Sequence, residues 1–243
     1  MKIALIGYGK LSKIVEQVAL QRGHEIGLII NSKNLQEFTQ ENISKCDVAI
    51  ELTTPENAFD NMLKCIDYKI PIVSGTTGWY AHLADAEKYC KEQNGSMLTA
   101  TNFSPGVNIF FKINEQLAGY INKLNNYHIS IDETHHIHKK DHPSGTASTL
   151  ASGILENHND YHTIKAFLEN ESVEINSGEL SILSRRDGEV PGTHQVNYNS
   201  EIDSIQIMHT AHNRSGFALG AVLAAEYIYN KQGVFSMGDV LGL

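Results

Sequence analysis

Between His135 and His142 the chain carries four histidines and two lysines in eight residues, His135-His136-Ile137-His138-Lys139-Lys140-Asp141-His142. Imidazoles titrate near neutrality and lysines carry charge, so these are the residue types of acid–base work on a small anion. A plain turn has no packing reason to collect them. The segment follows an alternating strand pattern, Tyr127 to Glu133, and runs into Pro143-Ser144-Gly145-Thr146-Ala147, which has turn and helix-capping chemistry. His135, His136 and His138 also offer nitrogen ligands at short spacing. No Cys or HExxH partner stands nearby, and the cations in the turn oppose a divalent ion, so no metal is expected.

A second chemical segment lies at the N-terminus. Ile3-Ala4-Leu5-Ile6 reads as a strand and the residues after Lys10 as a helix. Gly7-Tyr8-Gly9-Lys10-Leu11-Ser12 between them supplies the first two glycines of a GxGxxG turn, with Ser12 in the third place. Such a turn brings backbone N–H groups at a helix N-terminus up to a pyrophosphate, which makes Gly7 through Ser12 a dinucleotide-binding candidate. The second strand ends at Asn31-Ser32-Lys33. No carboxylate stands there to favour NADH by repelling a 2′-phosphate; Ser32 and Lys33 could meet that phosphate, and Asn31 could bond an unphosphorylated ribose. Both NADPH and NADH are therefore expected to work, with a modest preference for NADPH.

These segments need elements to position them. From Lys2 to Ala100, short apolar runs at Ile3–Ile6, Ile26–Ile30, Val48–Ile50, Ile70–Val73 and Met97–Leu98 alternate with amphipathic stretches, the pattern of a parallel sheet covered on both faces. After Phe103 the character changes. A helix starting near Pro105 precedes strand-like segments at 127–133, 179–184, 193–199 and 204–209, which predict an α+β unit with a mixed sheet. A strongly apolar helix from Ser215 to Tyr229 is expected to return to the first domain. The fold class is thus α/β, with a Rossmann domain over 1–103 completed by 215–243, and an inserted catalytic, substrate and oligomerisation domain over 104–214.

The 243 residues hold 19 Lys+Arg against 28 Asp+Glu, a formal net charge of −9, which argues against nucleic acid and for a metabolite as partner. No apolar run approaches the roughly 20 residues of a membrane span, and no signal peptide is evident, so a cytoplasmic location is expected. Cys46, Cys65 and Cys90 show neither CxxC spacing nor a disulfide pattern and read as reduced core thiols.

The string from His135 to Ala147, His-His-x-His-Lys-x-Asp-x-Pro-Ser-Gly-Thr-Ala, resembles the signature loop of the 4-hydroxy-tetrahydrodipicolinate (dihydrodipicolinate) reductases. Further matching blocks follow in order: Gly7-Tyr8-Gly9-Lys10, Ile50-Glu51-Leu52-Thr53, Gly75-Thr76-Thr77-Gly78-Trp79, Asn102-Phe103-Ser104, Val190-Pro191-Gly192-Thr193-His194, and His209 to Ala221. The resemblance implies an NAD(P)H-dependent oxidoreductase of lysine/diaminopimelate biosynthesis acting on a cyclic imine, or its hydrated form, with two carboxylates. It makes His135 the catalytic acid and Lys139 the catalytic lysine. It assigns His136, Lys139, Ser144, Gly145 and Thr146, with Arg214, to the substrate carboxylates, and Gly75, Thr76, Thr77, Ala100, Thr101, Asn102 and Phe103 to loops around the nicotinamide and its ribose. A homotetramer assembled through the inserted sheet is also implied, with edge strands expected between Glu179 and Asn199. Departures from the family pattern are Ser12 for glycine, Glu51 where Asp is frequent, and His142 where a small residue is usual.

Two other readings are weaker. A dinucleotide-sensing module without turnover has no use for an acid–base loop, and a two-domain aldehyde dehydrogenase needs an activated cysteine in its catalytic domain, whereas all three cysteines precede Phe103.

Overall fold

The computed structural model describes residues 1–124 and 126–243. The chain divides into two units, Met1–Pro105 with Arg214–Leu243, and Gly106–Asn213. The crossings thus fall at 105/106 and 213/214, against the expected 103/104 and 214/215.

In the first unit the chain runs through β1 (Lys2–Ile6), α1 (Lys10–Gln21), β2 (Glu25–Ile30), α2 (Gln40–Ile43), β3 (Val48–Glu51), α3 (Pro55–Asp67), β4 (Ile72–Ser74), α4 (Leu83–Glu92) and β5 (Ser96–Thr99). The second unit contains α5 (Pro105–Ile121), apart from its first residue, then β6 (His128–His135), α6 (Gly145–Asn157), β7 (Thr163–Leu168), β8 (Glu179–Arg186), β9 (Thr193–Asn199) and β10 (Ser204–Thr210). The chain then returns to the first unit with α7 (Ser215–Ile228), β11 (Gly233–Phe235) and α8 (Met237–Leu241).

The first sheet has the order β11-β5-β4-β3-β1-β2, with every neighbouring pair parallel. Strand alternation explains its two cores. Ala4, Ile6, Ala49, Ile72 and Met97 pack with Met62 and Ile66 of α3 and Ala86 of α4. Ile3, Leu5, Val48, Ile50, Val73 and Leu98 pack with Val15 and Ala19 of α1 and with the alanine-rich face of α7. The strand β11 was not foreseen; three residues are too few to show a period. The three cysteines are free and buried in the first of these cores, and burial pushes each thiol up.

The second sheet is mixed. Its order is β10-β9-β6-β8-β7, antiparallel across β10/β9 and β9/β6 and parallel across β6/β8 and β8/β7. Ile129, Ile131, Leu180, Ile182, Val196 and Tyr198 form one buried face against Phe110 and Ala118 of α5 and Leu150 and Ile154 of α6. The expectation of edge strands between Glu179 and Asn199 is corrected here: β8 and β9 flank β6 inside the sheet, and the edges are β10 and β7. β7, whose residues are all exposed or half-buried and so show no alternation, covers the outer side of β8. Among the described residues, no helix is long and apolar enough to cross a membrane.

Small residues let α7 approach the segment after β5 closely. A Cβ on Gly220 would lie 1.6 Å from the carbonyl oxygen of Phe103, a backbone atom that no rotamer change can move. Gly220→Ala is expected to cost about 1–3 kcal/mol or more of stability, read as a lower urea midpoint; an unchanged midpoint would contradict this account of the α7 packing.

Candidate active site

In the first unit, Gly7 turns the chain out of β1. It adopts φ +88°, donates its N–H to the Ile30 carbonyl at 2.8 Å, and has no room for a Cβ, which would sit 2.2 Å from the Leu52 oxygen. Gly9 precedes the first turn of α1 with no side-chain cap, and a Cβ there would meet nothing within 4 Å. Open space therefore stands before an uncapped helix N-terminus, the place a pyrophosphate needs. Ser12 is buried with its hydroxyl lacking any hydrogen-bond partner. It lines a cavity of about 350 Å³ with Gly9, Lys10, Leu52, Thr53 and Thr76. An orphaned buried hydroxyl costs free energy unless something bonds it. These features fit a dinucleotide.

Glu51, at the end of β3, is fully buried. Its carboxylate accepts from the Thr53 N–H (2.8 Å) and hydroxyl, from the Ser74 hydroxyl (2.6 Å) and from the Thr76 hydroxyl (3.0 Å). This ties the turn after β3 to the Gly75-Thr76-Thr77 turn after β4. Thr76 is committed to that network, while Thr77 is exposed. In the segment after β5, Phe103 is buried, Thr101 is exposed, Ala100 packs at the edge of the core, and Asn102 accepts the Ser104 N–H at 2.9 Å. Beyond β2, the Asn31 side chain accepts the Lys33 N–H at 2.9 Å, and Ser32 and Lys33 are exposed. The reading overlooked Glu37, which accepts from Asn34 at 3.1 Å and places a carboxylate close to this turn.

In the second unit the alternation of β6 continues past its apolar residues: Ile129, Ile131, Glu133 and His135 are all buried. The last two are polar and need partners. Ser144 caps α6, accepting the Ala147 N–H at 3.1 Å, and gives its own N–H to both oxygens of Glu133 (3.1 and 3.2 Å). The Ser184 hydroxyl donates to Oε1 at 2.7 Å. Oε2 lies 3.5 Å from His135 Nδ1 and 3.6 Å from His194 Nε2. The two rings are 5.0 Å apart and inclined at 72°. His194 Nε2 is also 3.0 Å from the Ser144 hydroxyl.

Burial alone would raise the Glu133 carboxyl, but hydrogen bonds from His194, Ser144 and Ser184 outweigh it and hold the group down to about 2. His135 moves the other way. Burial, then the neighbouring His194, Lys139 and Arg186, push it down to about 4 against the opposing charge of Glu133. The loop carrying Lys139 is braced by Arg186, which donates to the carbonyls of Lys139 (3.1 Å) and Asp141 (2.8 Å). Lys139 itself pairs with Asp141 at 2.7 Å.

His136 is half-buried with Nδ1 unpartnered. Gly145 and Thr146 form the first turn of α6. His138 and His142 are exposed, and His138 lies 3.5 Å from Glu189. Arg214 is exposed and belongs to the first unit, immediately before α7.

The sequence reading assigned no role to Glu133, His194 or Arg186. The available signal was a carboxylate on the buried phase of an alternating strand. Glu133, His135 and His194 bring one potential ligand atom each within 4.8 Å of one another. We read them as a proton site: Ser144 already bonds both Glu133 and His194, and the Lys139 and Arg186 charges act on His135.

A dinucleotide turn in one unit and a buried carboxylate–imidazole group beside a lysine loop in the other define a nicotinamide-dependent oxidoreductase. Residues 1–103 match the N-terminal and residues 106–241 the C-terminal model of the dihydrodipicolinate reductases. The 4-hydroxy-tetrahydrodipicolinate reductase of Christiangramia forsetii is 44% identical, over 99% of this chain and 98% of its own; that of Sulfurimonas denitrificans is 35% identical, over 88% and 82%. The dipicolinate-bound dihydrodipicolinate reductase of Paenisporosarcina sp. TG-14 superposes with a TM-score of 0.80 at 21% identity, covering 98% of each chain. The chain belongs to the dihydrodipicolinate reductase family.

The electrostatics predict acid lability. Folded His135 takes up its proton near pH 4, whereas an unfolded imidazole does so near 6.5, so acidification across that window protonates the unfolded chain alone and stability falls. The loss from this group is about 3 kcal/mol. Glu133, lowered from 4.5 to about 2, extends it at lower pH. His158 and His209 are also pushed down by burial and act in the same sense. Urea midpoints measured from pH 7 to 4 should fall, and should fall less steeply in His135→Gln; equal slopes would contradict the burial argument.

Proposed function

We propose that the chain reduces 4-hydroxy-tetrahydrodipicolinate to tetrahydrodipicolinate, using NADPH or NADH, in lysine/diaminopimelate biosynthesis, with His135 as the proton donor and Lys139 as the stabilising cation. The observation that carries this reading is the buried Glu133–His135 pair on the strand that leads into the Lys139 loop and the capped start of α6.

The cofactor, when bound, supplies the hydride. Gly7 through Ser12 would hold its pyrophosphate, Asn31, Ser32 and Lys33 its ribose, and Gly75–Thr77 with Ala100–Phe103 its nicotinamide end. For the substrate, the Paenisporosarcina protein binds dipicolinate, and a flat dicarboxylate of that class suits the positive N-terminal end of α6 at Gly145 and Thr146, with His136 and Lys139 as further carboxylate ligands on the resemblance. Ser144 contributes by capping α6 and orienting that turn. Arg214 is a further carboxylate ligand on the resemblance alone. Two carboxylates arriving near His135 oppose the burial and cationic neighbours that keep it neutral, so the ligand itself prepares the acid. We also propose a cytoplasmic homotetramer assembled through the second sheet; the exposed Ile205 and Met208 on its edge strand β10 support this.

His135→Gln and Lys139→Ala are each expected to lower kcat about 100-fold, the usual scale for removing a positioned proton donor or charge stabiliser. NADPH affinity should stay at the wild-type value, and full turnover in both variants would remove this mechanism. Lys33→Ala should shrink a modest NADPH preference, measured as kcat/KM for each cofactor, because an exposed lysine contact is worth only about 1 kcal/mol. The preference should also weaken with salt; a strong, salt-independent preference for NADH would contradict the placement of Lys33.

A further inference from the structure

We infer that Glu133 is a positioning residue for the reaction: its Oε2 fixes the tautomer of His135, so that Nε2, beside Gly192, is the atom that delivers the proton. This rests on the reading of His135 as proton donor, and adds which atom acts and what sets it.

The argument begins with the carboxylate. Glu133 is 1% exposed, and a buried anion is tolerated only where its lone pairs are bonded. Oε1 takes the Ser184 hydroxyl and the Ser144 N–H, and Oε2 shares that N–H. The remaining side of Oε2 faces the two imidazoles, His135 Nδ1 at 3.5 Å and His194 Nε2 at 3.6 Å. His135 Nδ1 is buried and has no hydrogen-bond partner. A bare lone pair there would face an anion and be repelled, whereas an N–H would be attracted. The proton of the neutral ring therefore sits on Nδ1, and the lone pair falls on Nε2. A separation of 3.5 Å is long for a hydrogen bond, but catalytic bonds of this kind tighten when ligand binds.

The other end of the ring is arranged to match. A Cβ at residue 192 would stand 3.1 Å from His135 Nε2, so the glycine of the Val190–His194 block keeps a side chain off that atom. The same block places His194 against Glu133. The charged and titratable groups acting on His135 are Glu133 on its own strand, His194 on β9, Lys139 in the following loop and Arg186 at the end of β8; His194 acts in turn on His209 of β10. Glu133 is the one anion in this set, and so the counter-charge for the imidazolium.

The proton balance follows. His135 gains a proton from solvent on Nε2 and becomes an imidazolium whose Nδ1–H remains against Glu133. The Nε2 proton passes to the substrate anion left by hydride addition, and His135 returns to the neutral Nδ1–H form. Glu133 keeps its charge throughout.

A purely structural Glu133, tying the cap of α6 to β6 and β8, predicts none of this. The test uses the full-length enzyme with ¹⁵N-labelled histidine, free and with pyridine-2,6-dicarboxylate bound, the His135 signals being assigned by their loss in His135→Gln. A protonated Nδ1 and a bare Nε2 in the free enzyme near neutral pH are expected; a protonated Nε2, or a mixture of tautomers, overturns the inference. Kinetics give a second readout. Glu133→Gln should lower kcat about 100-fold with the substrate KM and NADPH affinity little changed, and should move the fall of kcat with pH to lower pH, because the residue that raises the His135 pKa is lost. Glu133→Asp should restore the wild-type pH profile in part. A loss of kcat with an unshifted pH profile, or wild-type turnover, counts against it. If Glu133→Gln does not fold, the wild-type ring shifts still decide. Full activity in His135→Gln would instead defeat the underlying assignment of the proton donor, an outcome distinct from a failure confined to Glu133.

Discussion

The burial of one carboxylate near the end of β6 ties together several elements of the second unit. Once Glu133 lies on the buried phase of the strand, an ionised group without water must be answered by donors, and leaving even one lone pair unmatched costs several kcal/mol. The donors come from three places, the α6 cap (Ser144), β8 (Ser184) and β9 (His194). Satisfying the carboxylate therefore fixes where α6 starts, which strands flank β6, and which way two imidazoles face. The lysine loop is fixed from the same side, since Arg186 leaves the end of β8 to hold the Lys139 and Asp141 carbonyls.

The first unit uses the same device. Glu51 ends β3 as Glu133 nearly ends β6, and is likewise buried and surrounded by Ser and Thr hydroxyls and a backbone N–H. In each unit the sheet supplies a rigid edge, and a buried carboxylate transmits that rigidity to loops that would otherwise wander. The glycines serve the opposite need, removing side chains where a backbone or a ring would be crowded: Gly7 against Leu52, Gly220 against Phe103, and Gly192 against His135.

Much of this was legible in the residues. The parallel sheet showed in its continuous apolar runs, because burial on both faces leaves no polar phase. The return of the chain showed in the apolar helix from Ser215, and the chemistry in the density of histidine after a strand. What escaped notice has physical causes. The strand β7 has a weak pattern, so one edge of the second sheet was misplaced, and β11, at the edge of the first sheet, is too short to show a period. Glu133 and His194 lie sixty-one residues apart in sequence and acquire their meaning only through the pairing of β6 with β9, where Glu133 stands opposite His194. Ser144, placed by the resemblance at the substrate carboxylates, and Thr76, placed in a loop at the nicotinamide, have hydroxyls that answer a helix end and a carboxylate respectively. No single-residue signal distinguishes those duties; the partner does.

The central claim is that this chain reduces a cyclic imine dicarboxylate at the expense of a nicotinamide cofactor. It is tested most directly by following nicotinamide absorbance while the substrate is generated in place from aspartate semialdehyde and pyruvate by the preceding synthase. The account predicts NADPH or NADH oxidation that requires the synthase and both of its substrates, and that stops on adding pyridine-2,6-dicarboxylate. Oxidation indifferent to the synthase, or none when every component is present, would contradict it.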